Sequence, residues 1–284
     1  MRSAVAATAP QAGVRWLDEA VAAVHAAAPE QKADLVMRWS PGARRRLGDG
    51  ALGLAGPTLA TACGPLPTAP WRAGDTGRAC LLLAAVEALG DAGGERAAVL
   101  ADTLFRAGDE GERAALVRAL CLLPAPCAAA ATAKAAGRIN SLRLYAALAL
   151  DNPFPAACYG ERDFNQVVLK CLFNGLPVGR IMGLDRRAGA ELARMCEDYR
   201  DERVAAGRAV PPDIWLALVP HGSERGLALA LAALDDSDAG HRLNAARALA
   251  SRGGEPAVAA ELARRRESET DPAVRAALDD ARGI

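Results

Sequence analysis

The chain has 284 residues, 51% of them hydrophobic, so it can bury the core of one large domain or of two small ones. Lysine and arginine together number 34, and so do aspartate and glutamate. Because this charge is balanced and the arginines are spread along the chain, the composition argues against a protein that binds nucleic acid or an anionic membrane.

The N-terminal part of the chain begins with a leader and two helical patterns. Residues 1–12 are predicted to form a flexible leader. From Val14 onward, apolar residues recur at helical spacing until Pro29 interrupts them. A second, short helix is expected from about residue 30 to residue 39.

Residues 40–75 are rich in glycine and proline and are predicted to form a long ordered loop with one short helix at about 51–59. The arginine triplet at 44–46 is either an anion site or, as is more common for such a run, a solvated surface. No β-strand is predicted here or elsewhere in the chain.

A pattern repeats beyond Trp71. In each copy an Asp or Asn precedes an Arg by three or four residues, an apolar helical run follows, and in most copies Gly or Pro ends it. The Asp or Asn is expected to cap the helix, and the Arg to reach a carboxylate or the carbonyl groups of a neighbouring repeat. The copies start at Asp75, Asp109, Asn140, Asp238 and Asp271.

Such helical hairpins resemble HEAT-like repeats, which bury their apolar faces only by stacking on one another. The predicted fold is therefore all-α, a HEAT-like helical-repeat stack of the α-solenoid type. Its predicted parts are the leader (1–12), a helical domain (13–220) and a HEAT-like tail (221–284) packed on that domain.

Residues 158–187 stand out because they contain no alanine in an otherwise alanine-rich chain. Asp163, with Gln166 as its capping-box partner, predicts the start of a helix, and Asn174 followed by Gly175 predicts its end. One face of this helix is an apolar stripe. Another face carries Gln166, Lys170 and Asn174 at i, i+4 and i+8, with Phe173 beside them.

This polar face is either a solvated outer surface or the wall of a groove that holds a polar ligand, and both interpretations stay open from the sequence. The residues after the helix form a glycine- and proline-rich connection whose polar groups could turn inward. The candidate ligand-binding residues are Asn165, Gln166, Lys170, Asn174, Arg180 and Asp185.

The next predicted helix, at about 188–206, carries alternating acidic and basic residues, which is typical of a salt-bridged surface helix rather than of a metal site. A further helix starts near Asp213 and contains Trp215, which is expected in the core or, as the alternative, at an interface.

The seven cysteines are widely spaced and contain no C-x-x-C pair, which predicts small buried thiols in a reducing compartment rather than disulfides or a zinc site. The three histidines form no metal-binding motif, so no cofactor is predicted. The chain shows neither a signal-peptide pattern nor a long apolar run, and the expected location is the cytoplasm.

Several segments resemble the EboA family over roughly residues 14–220. They are LFRAGDEGERAALVRALCLLP (104–124), NSLRLYAALALDNPFP (140–155), the run from FNQVVLKCLF to DYRDERVAAGR (164–208) and PDIWLALVP (212–220). The most specific of these are DNPFP, the FNQVVLKCLF helix and the GLDRR-to-DYRDER helix.

The resemblance implies a protein encoded in gene clusters that make or move secondary metabolites. It implies as protein partners a metal-dependent hydrolase and a UbiA-like prenyltransferase from the same cluster, with a small metabolite as ligand. No nucleic-acid partner is expected, because the charge of the chain is balanced. Contact with the prenyltransferase would place the protein at the inner membrane. No catalytic residue is implied by this family.

Three functions follow as hypotheses. The first is a non-catalytic scaffold or metabolite-binding and delivery protein of such a cluster. The second is an enzyme with a central pocket around Lys170, aided by neighbours such as Asp198. The third is a HEAT-type protein–protein adaptor whose interaction surface is the C-terminal tail.

Overall fold

A computed structural model describes residues 1–52, 58–90 and 94–281 of the chain. The chain forms two compact units, Met1–Gly160 and Glu161–Ile284, whereas the sequence pattern predicts a boundary after residue 220. The described residues are mostly helical, which confirms the all-α class.

The first unit contains ten of the described helices. They are α1 (Arg2–Thr8), α2 (Gln11–Ala26), α3 (Lys32–Trp39), α4 (Ala43–Leu47), α5 (Ala73–Glu87), α6 (Glu95–Ala107), α7 (Glu110–Ala119), α8 (Ala130–Arg138), α9 (Leu142–Ala149) and α10 (Phe154–Cys158). Short 3-10 turns at Pro29–Gln31, Ser40–Gly42, Leu120–Leu122 and Pro126–Ala129 link some of them.

The second unit is also helical in its described part. Its helices are α11 (Glu161–Asn174), α12 (Leu184–Arg187), α13 (Ala190–Ala205), α14 (Ile214–Leu218), α15 (Glu224–Ala232), α16 (Ala239–Ala250), α17 (Pro256–Ser268) and α18 (Pro272–Asp280). The 3-10 turns of this unit are Val178–Arg180, Val219–His221 and Ala233–Asp235. No helix in the described ranges is both long and apolar enough to cross a bilayer.

The leader predicted for residues 1–12 is largely ordered as α1. This helix buries Ala4 and Val5, and Arg2 forms an ion pair with Asp18 of α2 at 2.5 Å. Small apolar side chains thus anchor a segment whose composition looks like that of a free terminus.

A β-hairpin lies where the sequence pattern predicts only a loop and a short helix. Strands β1 (Thr58–Thr61) and β2 (Gly64–Pro67) pair antiparallel, with Thr58 opposite Pro67. The Thr61 hydroxyl donates to the Gly64 carbonyl (2.6 Å) and accepts from the Cys63 N–H (3.1 Å), and Gly64 has φ of +109°. These local bonds stabilise the tight turn, so the prediction of no strand is wrong.

The predicted helix at 51–59 is also corrected in part. Ala51 pairs with Arg72 as an isolated β-bridge, and residues 58–59 belong to β1. Residues 53–57 lie outside the described part of the chain.

Helix caps follow the repeat pattern at three of its five positions. Asp109 forms a full capping box with Glu112, and Asp238 and Asp271 accept from the first turns of α16 and α18. The other two positions are corrected. Asp75 lies inside α5, since the helix already starts at Ala73. Ser141, not Asn140, caps α9.

The prediction for the repeat arginines is confirmed at three positions. Arg78 donates to the carboxylate of Asp75 and to the carbonyl group of Ser40. Arg113 donates to the carbonyl groups of Phe105 and Arg106. Arg242 donates to two carbonyl groups and to the carboxylate of Glu269.

The prediction of free thiols is wrong for one pair of cysteines. Cys127 and Cys158 form a disulfide with a Cα–Cα distance of 4.9 Å. They are 31 residues apart in the chain, so their spacing gave no signal of the pairing. Among the described cysteines, Cys121, Cys171 and Cys196 are buried free thiols, as predicted.

Candidate functional site

The predicted site helix is present as α11. It starts at Glu161, so Asp163 lies in its first turn rather than at the cap. It ends as predicted, because Gly175 has φ of +67° and the Leu176 N–H donates to the Cys171 carbonyl at 2.9 Å. The predicted apolar stripe is buried along its length: Phe164, Val167, Val168, Cys171 and Leu172.

The polar face of α11 forms one wall of an open groove of about 630 Å³ within the second unit. Gln166 and Lys170 lie in this wall beside Phe173, whose side chain is 69% exposed. Helix α13 and the residues after it form the other wall, with Arg194, Met195, Asp198, Tyr199, Glu202, Arg203 and Arg208.

The other four predicted residues do not line this groove. Asn165 is only 1% exposed, and its Oδ1 has no hydrogen-bond partner within the described residues. Asn174 is half-buried, and Arg180 and Asp185 are exposed. The structure therefore brings together Gln166 and Lys170 and separates the rest of the predicted set.

Two of the charged side chains on the α13 wall, Arg194 and Asp198, are paired within the helix. Arg194 forms ion pairs with Glu191 at 2.8 Å and with Asp198 at 2.6 Å, which confirms a salt-bridged surface helix. The Tyr199 hydroxyl is buried and makes no hydrogen bond to any described residue. The Arg203 guanidinium lies 6.0 Å from the centre of the Tyr199 ring.

This groove lacks the features that an active site around Lys170 would need. Lys170 is half-buried in the wall of an open groove, not in an enclosed pocket where polar groups converge. Burial raises the pKa of the nearby Cys171 and Cys196 thiols to about 12, so both stay protonated and unreactive at neutral pH. Within the described ranges, no cluster of three or more metal-ligating side chains is found.

A second, more enclosed cavity lies in the first unit, between α3, α5, α6 and α7. Its volume is about 150 Å³. Most of its lining is apolar: Val36, Met37, Pro41, Ala79, Leu82, Leu104, Ala107, Leu116 and Ala119, with Gly108 between α6 and α7. Sequence reasoning missed this cavity, because no motif links residues from four separate helices.

Three polar side chains complete the wall of this cavity. The Ser40 hydroxyl donates to Glu112 Oε1 at 2.7 Å, and Glu112 Oε2 accepts from the Asp109 N–H at 2.9 Å. The third side chain, Arg78, donates through Nε to the Ser40 carbonyl at 3.4 Å and through Nη1 to Asp75 at 3.3 Å. Hydrogen bonds thus fix the polar groups in place at the C-terminal end of α3, in the first turn of α7 and in the first turns of α5.

A polar pocket adjoins the cavity and shares Pro41 and Arg78 with it. It contains two of the three arginines of the triplet at 44–46. Its remaining lining residues are Arg44, Arg45, Asp109, Glu110, Gly111 and Arg143.

Comparison with models of known protein families gives a match over most of the chain. The family model described as "Metabolite traffic protein EboA" matches residues 1–219, a range that contains the cavity, the polar pocket and the groove. No curated protein and no solved structure matches the chain.

Proposed function

The chain belongs to the EboA family of metabolite traffic proteins, and we propose that it binds a small metabolite in the cavity of its first unit and carries it without transforming it. The single observation that carries this proposal is the partly enclosed, mainly aliphatic cavity of about 150 Å³ between α3, α5, α6 and α7. This cavity is a better candidate than the groove on α11, because enclosure removes more of a ligand's apolar surface from water.

The size of the cavity sets the size of the group that it can hold. An apolar cavity of roughly 150 Å³ accepts a molecule such as benzene. The buried Ala79 and Ala119 keep this space open, since larger side chains at either position would fill it. The cavity therefore suits a ring or a short chain of about six carbon atoms.

The polar groups of the cavity wall support binding rather than catalysis. Ser40 and Glu112 bond to each other, and Glu112 also accepts from the backbone at the start of α7. None of the histidines lines the cavity, so Ser40 has no imidazole base of the kind that activates serine nucleophiles. These contacts therefore fit a protein that carries the metabolite without transforming it.

Delivery requires a recipient, and we propose the metal-dependent hydrolase and the UbiA-like prenyltransferase that the family resemblance implies. We also interpret the fold as a HEAT-like stack. Alternate helices pack on one another in each unit, as in the series α5, α7, α9 and the series α14, α16, α18. Such stacks leave a surface free for protein partners.

Native mass spectrometry of the protein purified from cells that make it naturally tests the binding proposal. We expect a co-purified small molecule that is lost in Met37→Trp, because Met37 is a half-buried residue of the cavity wall and the indole would fill the space. The matched control is Met195→Trp, which places the same ring in the groove of the second unit and should retain the molecule.

Two outcomes would contradict the proposal. One is a wild-type protein that carries no small molecule after purification from the natural host. The other is a molecule that Met37→Trp retains and Met195→Trp loses, which would assign binding to the groove. Thermal unfolding of both variants checks that neither substitution disrupts the fold.

A further inference from the structure

We propose that the metabolite is an amphipathic anion. Its apolar body fills the cavity, and its phosphate or carboxylate group lies in the adjoining arginine pocket, defined by Arg44, Arg45, Arg78 and Arg143. This inference rests on the proposed function, because it assigns a ligand chemistry to the same site.

Arg78 connects the two spaces. Its side chain is only 10% exposed, and it lines both the cavity and the arginine pocket. Nε and Nη1 donate to the Ser40 carbonyl and to Asp75, while Nη2 makes no hydrogen bond to any residue that the structure describes. A buried guanidinium with unused donors is well suited to an oxyanion, because its planar fork matches phosphate and carboxylate oxygens.

Two of the other three arginines have guanidinium groups that no carboxylate of the described residues pairs with. Arg44 is paired with Asp49 at 2.5 Å. Arg45 and Arg143 are exposed and form no ion pair with a carboxylate in the described ranges. Two cations next to a buried guanidinium attract an anion to this pocket.

The two carboxylates in the pocket are already engaged. Asp109 accepts from the Glu112 N–H in the capping box, and Glu110 accepts from the Ser141 hydroxyl. Because Arg44 and Arg78 also pair with Asp49 and Asp75, the pocket has no net positive charge. The guanidinium donors of Arg45, Arg78 and Arg143 that no described residue uses, beside carboxylates that already accept hydrogen bonds, favour an anionic ligand over a cationic one.

Close helix packing holds this arrangement in place before any ligand arrives. A Cβ atom added to Gly74 of α5 would lie 2.9 Å from the Arg44 Cα, and one added to Gly77 would lie 2.3 Å from a methyl carbon of Leu47. These glycines let α4 approach α5 closely and place Arg44 and Arg45 beside Arg78. A preorganised site loses less entropy on binding.

The orientation of the ligand follows from Glu112. Its carboxylate lies in the wall of the cavity but not in that of the arginine pocket. A second negative charge in the cavity would be repelled there and would also lose its hydration. The apolar part of the ligand therefore enters the cavity, and the anionic group stays among the arginines.

Isothermal titration calorimetry with three probes tests the inference on the full chain. Benzyl phosphate carries a benzene-sized body and an anionic group, benzyl alcohol has the body without the charge, and inorganic phosphate has the charge without the body. We expect benzyl phosphate to bind at least tenfold more tightly than either of the other probes. Its affinity should fall as salt is raised from 0.05 to 0.5 M, because salt screens the arginines.

Surface arginines supply variants that leave the core untouched. Arg45→Gln and Arg143→Gln should each weaken benzyl phosphate binding about two- to fivefold and leave benzyl alcohol binding unchanged. Arg186→Gln removes an exposed arginine of α12 in the second unit and should change neither. Met37→Trp should abolish binding of both benzyl probes.

The outcomes separate this inference from the proposed function. Equal affinity for benzyl phosphate and benzyl alcohol, both lost in Met37→Trp, would overturn the anion assignment and leave the carrier function standing. Inorganic phosphate binding as tightly as benzyl phosphate would show that the cavity holds no part of the ligand, which also overturns the inference. Failure of all three probes to bind would count against both proposals.

Discussion

Lys32 is a buried charge with a structural role. It is 1% exposed, and its Nζ donates to the carbonyl groups of Val24, His25 and Ala27 at 2.9–3.1 Å. These carbonyls lie at the C-terminal end of α2, where no helical N–H remains to satisfy them. A compact ammonium with three donors fits this position, and its charge also interacts favourably with the helix dipole.

We expect Lys32→Met to lower the free energy of unfolding by about 2–4 kcal/mol, because three carbonyl groups, one in a buried and two in partly buried hydrogen bonds, lose their donor. Urea unfolding at pH 7 measures the change. Lys170→Met, in the open groove of the second unit, serves as the control and should cost about 1 kcal/mol or less. Equal losses in the two variants would contradict the capping role of Lys32.

Glu269 is the corresponding buried anion of the second unit. Burial opposes ionisation of this carboxylate, but hydrogen bonds from Arg242, Arg265 and the N–H groups of Thr270 and Asp271 outweigh it. Together they lower the pKa of Glu269 to about 2. The ionised carboxylate thus joins α16, α17 and the start of α18.

The lowered pKa of Glu269 makes stability depend on pH in a defined window. Since the unfolded-state pKa of a glutamate is about 4.3, the stabilisation is complete above that pH and is lost as the pH falls toward 2. The shift corresponds to about 3 kcal/mol. Urea unfolding at pH 7, 4 and 3 should show the advantage of wild type over Glu269→Gln shrinking as pH falls. A constant difference from pH 7 to pH 3 would refute this account.

Among the elements, α4 depends most on glycine contacts. A Cβ atom on Gly13 of α2 would lie 2.1 Å from the Arg46 carbonyl oxygen, so the two segments can touch only through a bare backbone. With Gly74 and Gly77 of α5 on the other side, α4 is held between two helices. This short helix of five residues would have no stability in isolation.

We expect Gly13→Ala to cost about 1–3 kcal/mol, because the added methyl group forces α2 and α4 apart. Thermal unfolding reports the loss. Gly50→Ala is the matched control, since an added Cβ there meets no atom within 4 Å, and it should be close to neutral. A neutral Gly13→Ala would mean that α2 and α4 can separate without cost.

At the scale of single elements, the sequence best predicts those helices whose ends are set by one local signal. Capping residues and glycines locate α7, α11 and α13 to within a few residues, since these signals act on the nearest turn. The hairpin escapes prediction because its strands are four residues each and contain Pro65 and Pro67, which argue against strands in general. A two-stranded hairpin tolerates these prolines, because both of its strands are edge strands and some of their N–H groups have no pairing partner.

For the whole molecule, the disulfide between Cys127 and Cys158 is the main covalent constraint. It closes a loop of about 31 residues in the first unit. The Cys63 sulfur lies 3.9 Å from that of Cys158 and could attack the bond. Burial raises the pKa of Cys63 to about 11, so little thiolate is present at neutral pH and exchange is slow.

Reduction of this disulfide should lower the free energy of unfolding by about 3–4 kcal/mol, from the entropy that the unfolded chain regains. Urea unfolding with and without dithiothreitol measures it, with a thiol assay to confirm reduction. The Cys127→Ser/Cys158→Ser double variant should show no response to dithiothreitol. An unchanged wild-type midpoint after full reduction would contradict the stabilising role.

The candidate site shows why function is harder to predict than helices. Gln166 and Lys170 share a groove because they are one helical turn apart, which the sequence reveals. The cavity joins Met37, Arg78, Leu104 and Glu112 from four helices, and only tertiary packing brings them together. Arg78 and Glu112 carry recognisable capping and pairing signals, but these signals say nothing of the space between the helices.

Methyl NMR on leucine-labelled protein tests the central claim most directly, since it locates a bound molecule. Benzyl alcohol and benzyl phosphate would be titrated separately while the Leu82, Leu104, Leu116 and Leu169 methyl signals are followed. The account predicts saturable shifts at the first three, which line the cavity of the first unit, and none at Leu169 in the groove. Shifts confined to Leu169, or no saturable shift with either probe, would contradict it.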